Sequence, residues 1–145
     1  MRYEWVEDNV LTIPGKVRKN HKSLTLPLGP LALELIAAQP RLNSFVFPGR
    51  KENTHIHDGS FAKLKIQLDE ASGVTNYGLH SLRKTAATMM ARETPPHILQ
   101  AILGHSDGPV SDLQSLYNKY EYLEEKRHAL RAWEERVQCF CPGAL

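Results

Sequence analysis

The pattern of hydrophobic and polar positions near the start of the chain predicts a β hairpin followed by a helix. The β-prone runs Val10–Ile13 and Ser23–Leu26 are each followed by a proline, and the polar stretch between them is expected to form a mobile tip. Gly29-Pro30 is typical of a helix start, and apolar residues then recur at i, i+4 spacing. This helix is expected to end near Gln39-Pro40.

From residue 60 onward the apolar spacing is helical. One stripe, on a helix over Ser60–Ser72 that Gly73 ends, comprises Phe61, Leu64, Leu68 and Ala71. Further helices are predicted from His80 to about Arg92, from Thr94-Pro95-Pro96 to Gly104, after the capping-box sequence Ser111-x-x-Gln114, and from Leu123 onward. The sequence therefore predicts a mainly α fold with a small antiparallel β hairpin or sheet, in a single domain over residues 1–145.

The later helices each have an apolar face, and these faces define the candidate core. In the helix from His80 the face comprises Leu82, Ala86, Met89 and Met90, and in the next helix it comprises Ile98, Ala101 and Ile102. In the last helix one side carries Leu123, Leu130, Trp133 and Val137. The charged residues Glu124, Glu125, Lys126 and Arg131 are expected elsewhere on that helix.

Length and composition favour a single cytoplasmic domain. The chain has 145 residues, of which 41% are hydrophobic, enough to bury the core of one domain but hardly of two. No apolar run reaches the roughly 18 residues of a membrane span, and no basic-then-apolar leader opens the chain. Cys139 and Cys141 are too close in sequence to form a disulfide that stabilises the fold, and two cysteines are too few for a zinc site. They indicate a reducing compartment and are assigned no role.

The distribution of charge says more than the net charge of +2. Residues 9–33 contain Lys16, Arg18, Lys19 and Lys22 and no acidic residue. Such a cluster on a hairpin suits a polyanion. It is also typical of a solvated loop, which charge alone favours.

The sequence His80-Ser81-Leu82-Arg83 stands where a helix is predicted to begin, with Ser81 as its N-cap. The first turn of a helix offers free N–H groups and a positive dipole end, and a guanidinium can hold two oxygens of a phosphate. His80 and Arg83 are therefore candidates for an anion site. The alternative is an ordinary i, i+3 pair that packs over a neighbour.

Two later positions are further candidates. In Leu103-Gly104-His105, a left-handed Gly104 would turn the chain and leave His105 at the mouth of the site, although a simple helix cap has the same sequence. Tyr117 lies on an apolar stripe, where an aromatic residue usually belongs to the core. Neither position is specific alone.

Taken together, these segments resemble a known family. The order of Lys19-Asn20, His80-x-x-Arg83, Leu103-Gly104-His105 and Tyr117-Asn118-Lys119 is similar to that in the catalytic domain of tyrosine recombinases, most closely the integrases of bacteriophages and prophage islands. The resemblance extends over nearly the whole chain, from Leu11-Thr12-Ile13-Pro14 to Trp133. It implies a protein encoded by a bacterium or a phage.

The resemblance implies a role for each matching residue. Tyr117 would attack a DNA phosphodiester and become joined to its 3′ phosphate, and Lys19 would give a proton to the departing 5′ hydroxyl. Three residues would surround the phosphate: His80, Arg83 and His105. Contacts to double-stranded DNA are expected from Lys16, Arg18, Asn20, Lys22 and Lys84.

The chemistry supports these roles independently. Breaking a phosphodiester needs a nucleophile, stabilisation of the phosphoryl oxygens and an acid for the leaving group. A tyrosyl phosphate keeps the energy of the linkage, so strands can be rejoined without a cofactor or metal. Because tyrosine has a pKa of about 10, attack near neutral pH needs a base or a strongly electropositive site. His80 or His105 could contribute to either.

The family pattern also has a further phosphate-binding arginine on a helix before the first strand of the hairpin. We expect this arginine to lie upstream of residue 1, and Arg2 does not take its role. The chain is therefore expected to be a fragment that folds but recombines poorly or not at all. We expect it to be a monomer when free and a homo-oligomer when assembled on DNA.

Three alternatives stay open at this point. A DNA-binding module without catalysis would share the basic residues but leave Tyr117 packed. A type IB topoisomerase would use the same nucleophile only to nick and close strands. The pair His55-x-His57 raises a metal hydrolase, although no acidic or cysteine ligand stands at a suitable spacing.

Overall fold

The computed structural model describes residues 1–104 and 121–140. The strands are β1 (Val6–Glu7), β2 (Val10–Ile13) and β3 (Leu24–Pro27). The helices are α1 (Pro30–Ala37), α2 (Asp58–Ser72), α3 (Leu79–Met90), α4 (Pro96–Leu103) and α5 (Leu123–Phe140). The mainly α fold with a small antiparallel sheet is confirmed. The helix predicted after Ser111-x-x-Gln114 lies outside the described residues.

The sheet has three antiparallel strands in the order β1-β2-β3, one more than the predicted hairpin. In β2 and β3, Thr12 pairs with Thr25 and Leu11 with Leu26. The turn from β1 to β2 consists of Asp8 and Asn9, which both have positive φ (48° and 60°). Two-residue hairpin turns of type I′ require this conformation, and Asp and Asn tolerate it better than most residues. With only two residues, β1 has no alternation that the sequence could show.

The start of α1 depends on a residue from α5. Gly29 is the N-cap and has no side chain to cap the helix, but Glu134 Oε1 accepts a hydrogen bond from the Ala32 amide (3.1 Å). A Cβ on residue 29 would overlap the Glu134 carboxylate, which would then have to move. An acidic group at a helix N-terminus also interacts favourably with the dipole. This contact ties α5 to α1.

The core lies where α3, α4 and α5 meet β3. Met90, Ile98 and Ile102 are buried, and partly buried side chains pack around them, including Leu130 and Trp133 as predicted. The other members of this layer are Leu26, Leu99, Tyr122 and Ala129. Among the described residues, no helix is long and apolar enough to cross a membrane.

Two predictions about burial, those for Leu82 and Lys126, are wrong. The stripe of Phe61, Leu64 and Leu68 on α2 is also exposed, with Leu64 at 52%. Helical spacing places residues on one face, but burial also needs a second element against that face. Leu82 is 56% exposed because α3 joins the core through Met90, two turns further on. Lys126 is 5% exposed, although it was expected away from the apolar side of the last helix.

Candidate functional site

The candidate site is built on the C-terminal end of α4. Gly104 ends the helix in the left-handed region, with φ 63° and ψ 28°, as its sequence position predicts. The last carbonyls of a helix have no partner within it. Here the carbonyls of Leu103 and Gly104 accept hydrogen bonds from side chains of two other elements. The end of α4 therefore gathers polar groups that are far apart in sequence.

The first of these groups comes from α3. Arg83 Nη2 donates to the Leu103 carbonyl at 2.6 Å, and the Arg83 side chain is otherwise exposed. A guanidinium has five N–H groups, so donors are left for an anion. Lys84 is exposed beside it.

The N-cap of α3 differs from the prediction. The cap is Gly78, and Ser81 is the third helical residue, with its Oγ accepting from the Gly78 amide at 3.3 Å. The prediction that Ser81 is the N-cap is therefore wrong by three positions, because the helix begins at Leu79. His80 is consequently in the first turn, exposed, and three residues before Arg83. This spacing places both side chains on neighbouring positions of one helix face.

The second group comes from the connection between β2 and β3, residues 14–23. Arg18 Nη2 donates to the Gly104 carbonyl at 3.0 Å, and Asn20 Nδ2 lies 3.5 Å from the same oxygen. Lys16, Lys19 and Lys22 are exposed on this connection. The structure thus brings Arg83, Arg18 and Asn20 to two adjacent carbonyls.

A cavity of about 180 Å³ lies beside this point. Its lining includes Arg18, Lys22, Gly104, Glu121 and Lys126. Lys126 Nζ donates to the Thr25 carbonyl in β3 at 2.9 Å. Burial lowers the pKa of Lys126, and the nearby Glu121 carboxylate opposes that shift. The cavity therefore has more basic than acidic groups around it.

Sequence reasoning missed Lys126, although a signal was present. Position 126 follows Leu123 by three residues and precedes Leu130 by four, so it belongs to the apolar stripe of α5. Because Lys126 lies in a run of charged residues with Glu124, Glu125 and Arg127, the apolar spacing is not evident there. Two of the predicted site residues, His105 and Tyr117, lie outside the described residues.

The two histidines of His55-x-His57 have local partners. His57 is the N-cap of α2, and its Nδ1 accepts from the Gly59 amide at 3.0 Å. His55 Nδ1 lies 2.8 Å from the Ile56 carbonyl, and its ring packs edge-on against Phe45. Within residues 1–104 and 121–140, no group of three potential metal-ligating side chains occurs.

Comparison with known proteins identifies the family of the chain. Residues 2–122 match the phage integrase family, and because this is most of the chain, the protein belongs to that family of tyrosine recombinases. It is 26% identical over 137 residues to Prophage integrase IntA of Escherichia coli (strain K12). That match covers 92% of this chain and 32% of the relative, so the chain spans about a third of the relative's length. No solved structure matches the chain.

Proposed function

We propose that this chain carries the catalytic part of a site-specific DNA recombinase that breaks and rejoins strands through a 3′-phosphotyrosyl intermediate on Tyr117. The observation that carries the proposal is the meeting of Arg83 and the basic connection at the end of α4. Arg83 Nη2 contacts the Leu103 carbonyl, and Arg18 contacts the Gly104 carbonyl. His105 is the next residue in the sequence. Membership in the phage integrase family supports the same reaction.

The proposed reaction is a transesterification. The Tyr117 hydroxyl gives its proton to a base, for which His80 and His105 are the candidates, and its oxygen attacks a backbone phosphorus. A new P–O bond forms to the phenol oxygen, and the bond from phosphorus to the 5′ oxygen breaks. Lys19 gives its proton to that 5′ oxygen. Arg83, His80 and His105 stabilise the charge on the phosphoryl oxygens, and such donors are each worth about 10²–10³ in rate.

The rejoining step uses the same groups in reverse. A 5′ hydroxyl from another strand attacks the tyrosyl phosphate and releases Tyr117, so the number of phosphodiester bonds is conserved. The partner in this proposal is double-stranded DNA, on which several copies of the protein assemble. The expected monomer in the absence of DNA, the cytoplasmic location and the weak activity of the 145-residue chain stay predictions.

Covalent capture from a pool of nicked duplexes tests the proposal without knowledge of the target site. The sequence around the nick is randomised. Cleavage beside the nick releases a short fragment, and its loss prevents rejoining and leaves the protein attached to the DNA. We expect the wild-type chain to form a denaturant-resistant adduct in low yield, in line with its predicted weak activity, and Tyr117→Phe to form none while it retains DNA binding. A wild-type protein that binds the pool but forms no adduct would instead be a DNA-binding module.

Arg83 is tested on the duplex that the capture recovers. Arg83→Gln removes the positively charged guanidinium, and we expect the rate of adduct formation to fall by about 10²-fold or more. Arg92→Gln removes an exposed arginine just beyond α3 and serves as the matched control. Equal rates for the two variants would contradict the role of Arg83.

A further inference from the structure

We propose that Arg18 is a positioning residue for strand cleavage, which fixes the β2–β3 connection against the end of α4 so that Lys19 can serve as the acid. This inference rests on the proposed function. It differs from the sequence-based expectation, which placed Arg18 among the DNA contacts. The structure turns this side chain toward the protein and gives its guanidinium two protein partners.

The geometry of Arg18 is that of a bridge. Nη1 donates to the Lys22 carbonyl at 2.8 Å, within the connection itself. Nη2 donates to the Gly104 carbonyl at 3.0 Å, across 86 positions of sequence. A planar guanidinium can hold two acceptors at once, whereas an ammonium is a point charge without that fork. Arg18 thus closes the connection on itself and attaches it to α4.

Lys19 lies between two residues that approach the same oxygen. Arg18 Nη2 is 3.0 Å and Asn20 Nδ2 is 3.5 Å from the Gly104 carbonyl. The backbone of residue 19 is therefore held on both sides, while the Lys19 side chain is exposed. A group that must deliver a proton to DNA needs this combination, because DNA arrives from solvent and the proton must reach one defined oxygen.

The bridge brings the guanidinium of Arg18 close to the α-carbon of Gly104. A Cβ on this residue would overlap Arg18 Nη2, so the guanidinium would have to move. The φ of 63° also favours glycine. Glycine at this position therefore ends α4 and leaves room for the guanidinium of Arg18.

The chemistry of the leaving group distinguishes a variant that misplaces Lys19 from one whose whole structure is disturbed. In normal DNA the 5′ oxygen leaves as an alkoxide unless it receives a proton. If sulfur replaces that bridging oxygen, the leaving group is a thiolate, and a thiol has a pKa of only about 8.5. The sulfur substrate therefore needs no acid. A variant that fails only in placing Lys19 should cleave it normally.

The experiment measures single-turnover adduct formation at saturating duplex, with oxygen or sulfur at the bridging position of the captured sequence. For Arg18→Ala we expect a rate on the oxygen substrate lower by roughly 10- to 100-fold, since general acid catalysis contributes about 10²–10⁴. On the sulfur substrate its rate should stay within about threefold of wild type, which also shows that the variant is folded. The double variant Arg18→Ala/Lys19→Ala should be no slower than Lys19→Ala.

Arg131→Ala is the matched control, because it removes an exposed arginine of α5 that pairs with Glu135. It should leave both rates unchanged. Equal losses on the oxygen and sulfur substrates for Arg18→Ala, or a loss of DNA affinity without a loss of saturated rate, would overturn the inference. A wild-type chain that binds both substrates but cleaves neither would overturn the proposed function itself, and the inference with it.

Discussion

Lys126 is a charged residue on the apolar side of α5. Its Nζ donates to the Thr25 carbonyl, and the residue is 5% exposed. Burial disfavours the charged form and lowers its pKa, while the Glu121 carboxylate acts in the opposite direction. The hydrogen bond joins α5 to β3, the strand that follows the basic connection. The stability of the protein should therefore depend on the protonation of this one group.

The sign of that dependence follows from linkage. Since the folded pKa of Lys126 is below its ordinary value of 10.5, the folded state binds fewer protons there than the unfolded state. The free energy of unfolding should rise with pH in the window just below about 10.5, and the penalty should be largest at pH values below the lowered pKa. Urea unfolding at pH 8 and pH 10 should show a smaller rise for Lys126→Met than for wild type. Parallel profiles would contradict this assignment.

Individual site residues differ in how far the sequence could predict them. Arg83 could be found because its spacing from His80 and its helix start are local signals. The partners of Arg18 could not, since Gly104 is 86 positions away and only the folded chain brings the two together. The burial of Lys126 differs from the prediction because lysine is seldom buried, although its spacing matches the apolar stripe of α5. His105 and Tyr117 were singled out from the sequence, and their roles stay predictions.

At the scale of elements, local sequence signals predicted most of the boundaries of helices and strands. Proline and glycine placed the starts of α1 and α4 and the ends of α2 and α4, and β2 was predicted over the residues that form it. Burial of the α2 stripe could not be predicted, because it depends on which element packs against the helix. The contact of α1 with Glu134 was also not predictable, since it joins residues 102 positions apart.

That contact between α5 and α1 gives a prediction for stability. Glu134→Ala removes the acceptor of the Ala32 amide, and loss of a helix cap typically costs about 1 kcal/mol. Glu135→Ala is the matched control, because Glu135 is exposed and makes a surface ion pair with Arg131. We expect urea unfolding to show the larger loss for Glu134→Ala. Equal losses would indicate that the Glu134 contact does not stabilise α1.

At the scale of the whole molecule, the net charge of +2 conceals an uneven distribution. The connection between β2 and β3 presents exposed Lys16, Lys19 and Lys22 beside the end of α4. Binding to DNA through such groups releases counterions, so affinity falls steeply as salt rises. We expect Lys16 and Lys22 of this connection to contribute to binding of the DNA backbone, and Lys19 to contribute to its cleavage.

This division can be measured with single lysine variants. Lys16→Ala should weaken binding similarly across DNA sequences and reduce the slope of log affinity against log salt by about 1. Lys22→Ala should behave in the same way, whereas Lys19→Ala should mainly slow cleavage. Lys63→Ala, on the exposed side of α2, is the control and should change neither property. Equal losses of affinity and rate in Lys16→Ala and Lys19→Ala would contradict the division.

The most direct test of the account is the chemical identity of the captured adduct. Trypsin should release the peptide Glu93–Lys119, in which Tyr117 is the only tyrosine. After nuclease digestion, tandem mass spectrometry should find a nucleotide joined to Tyr117 through its 3′ phosphate. A nucleotide on Tyr120 or Tyr122, in the next peptide, or a linkage through a 5′ phosphate would contradict the account.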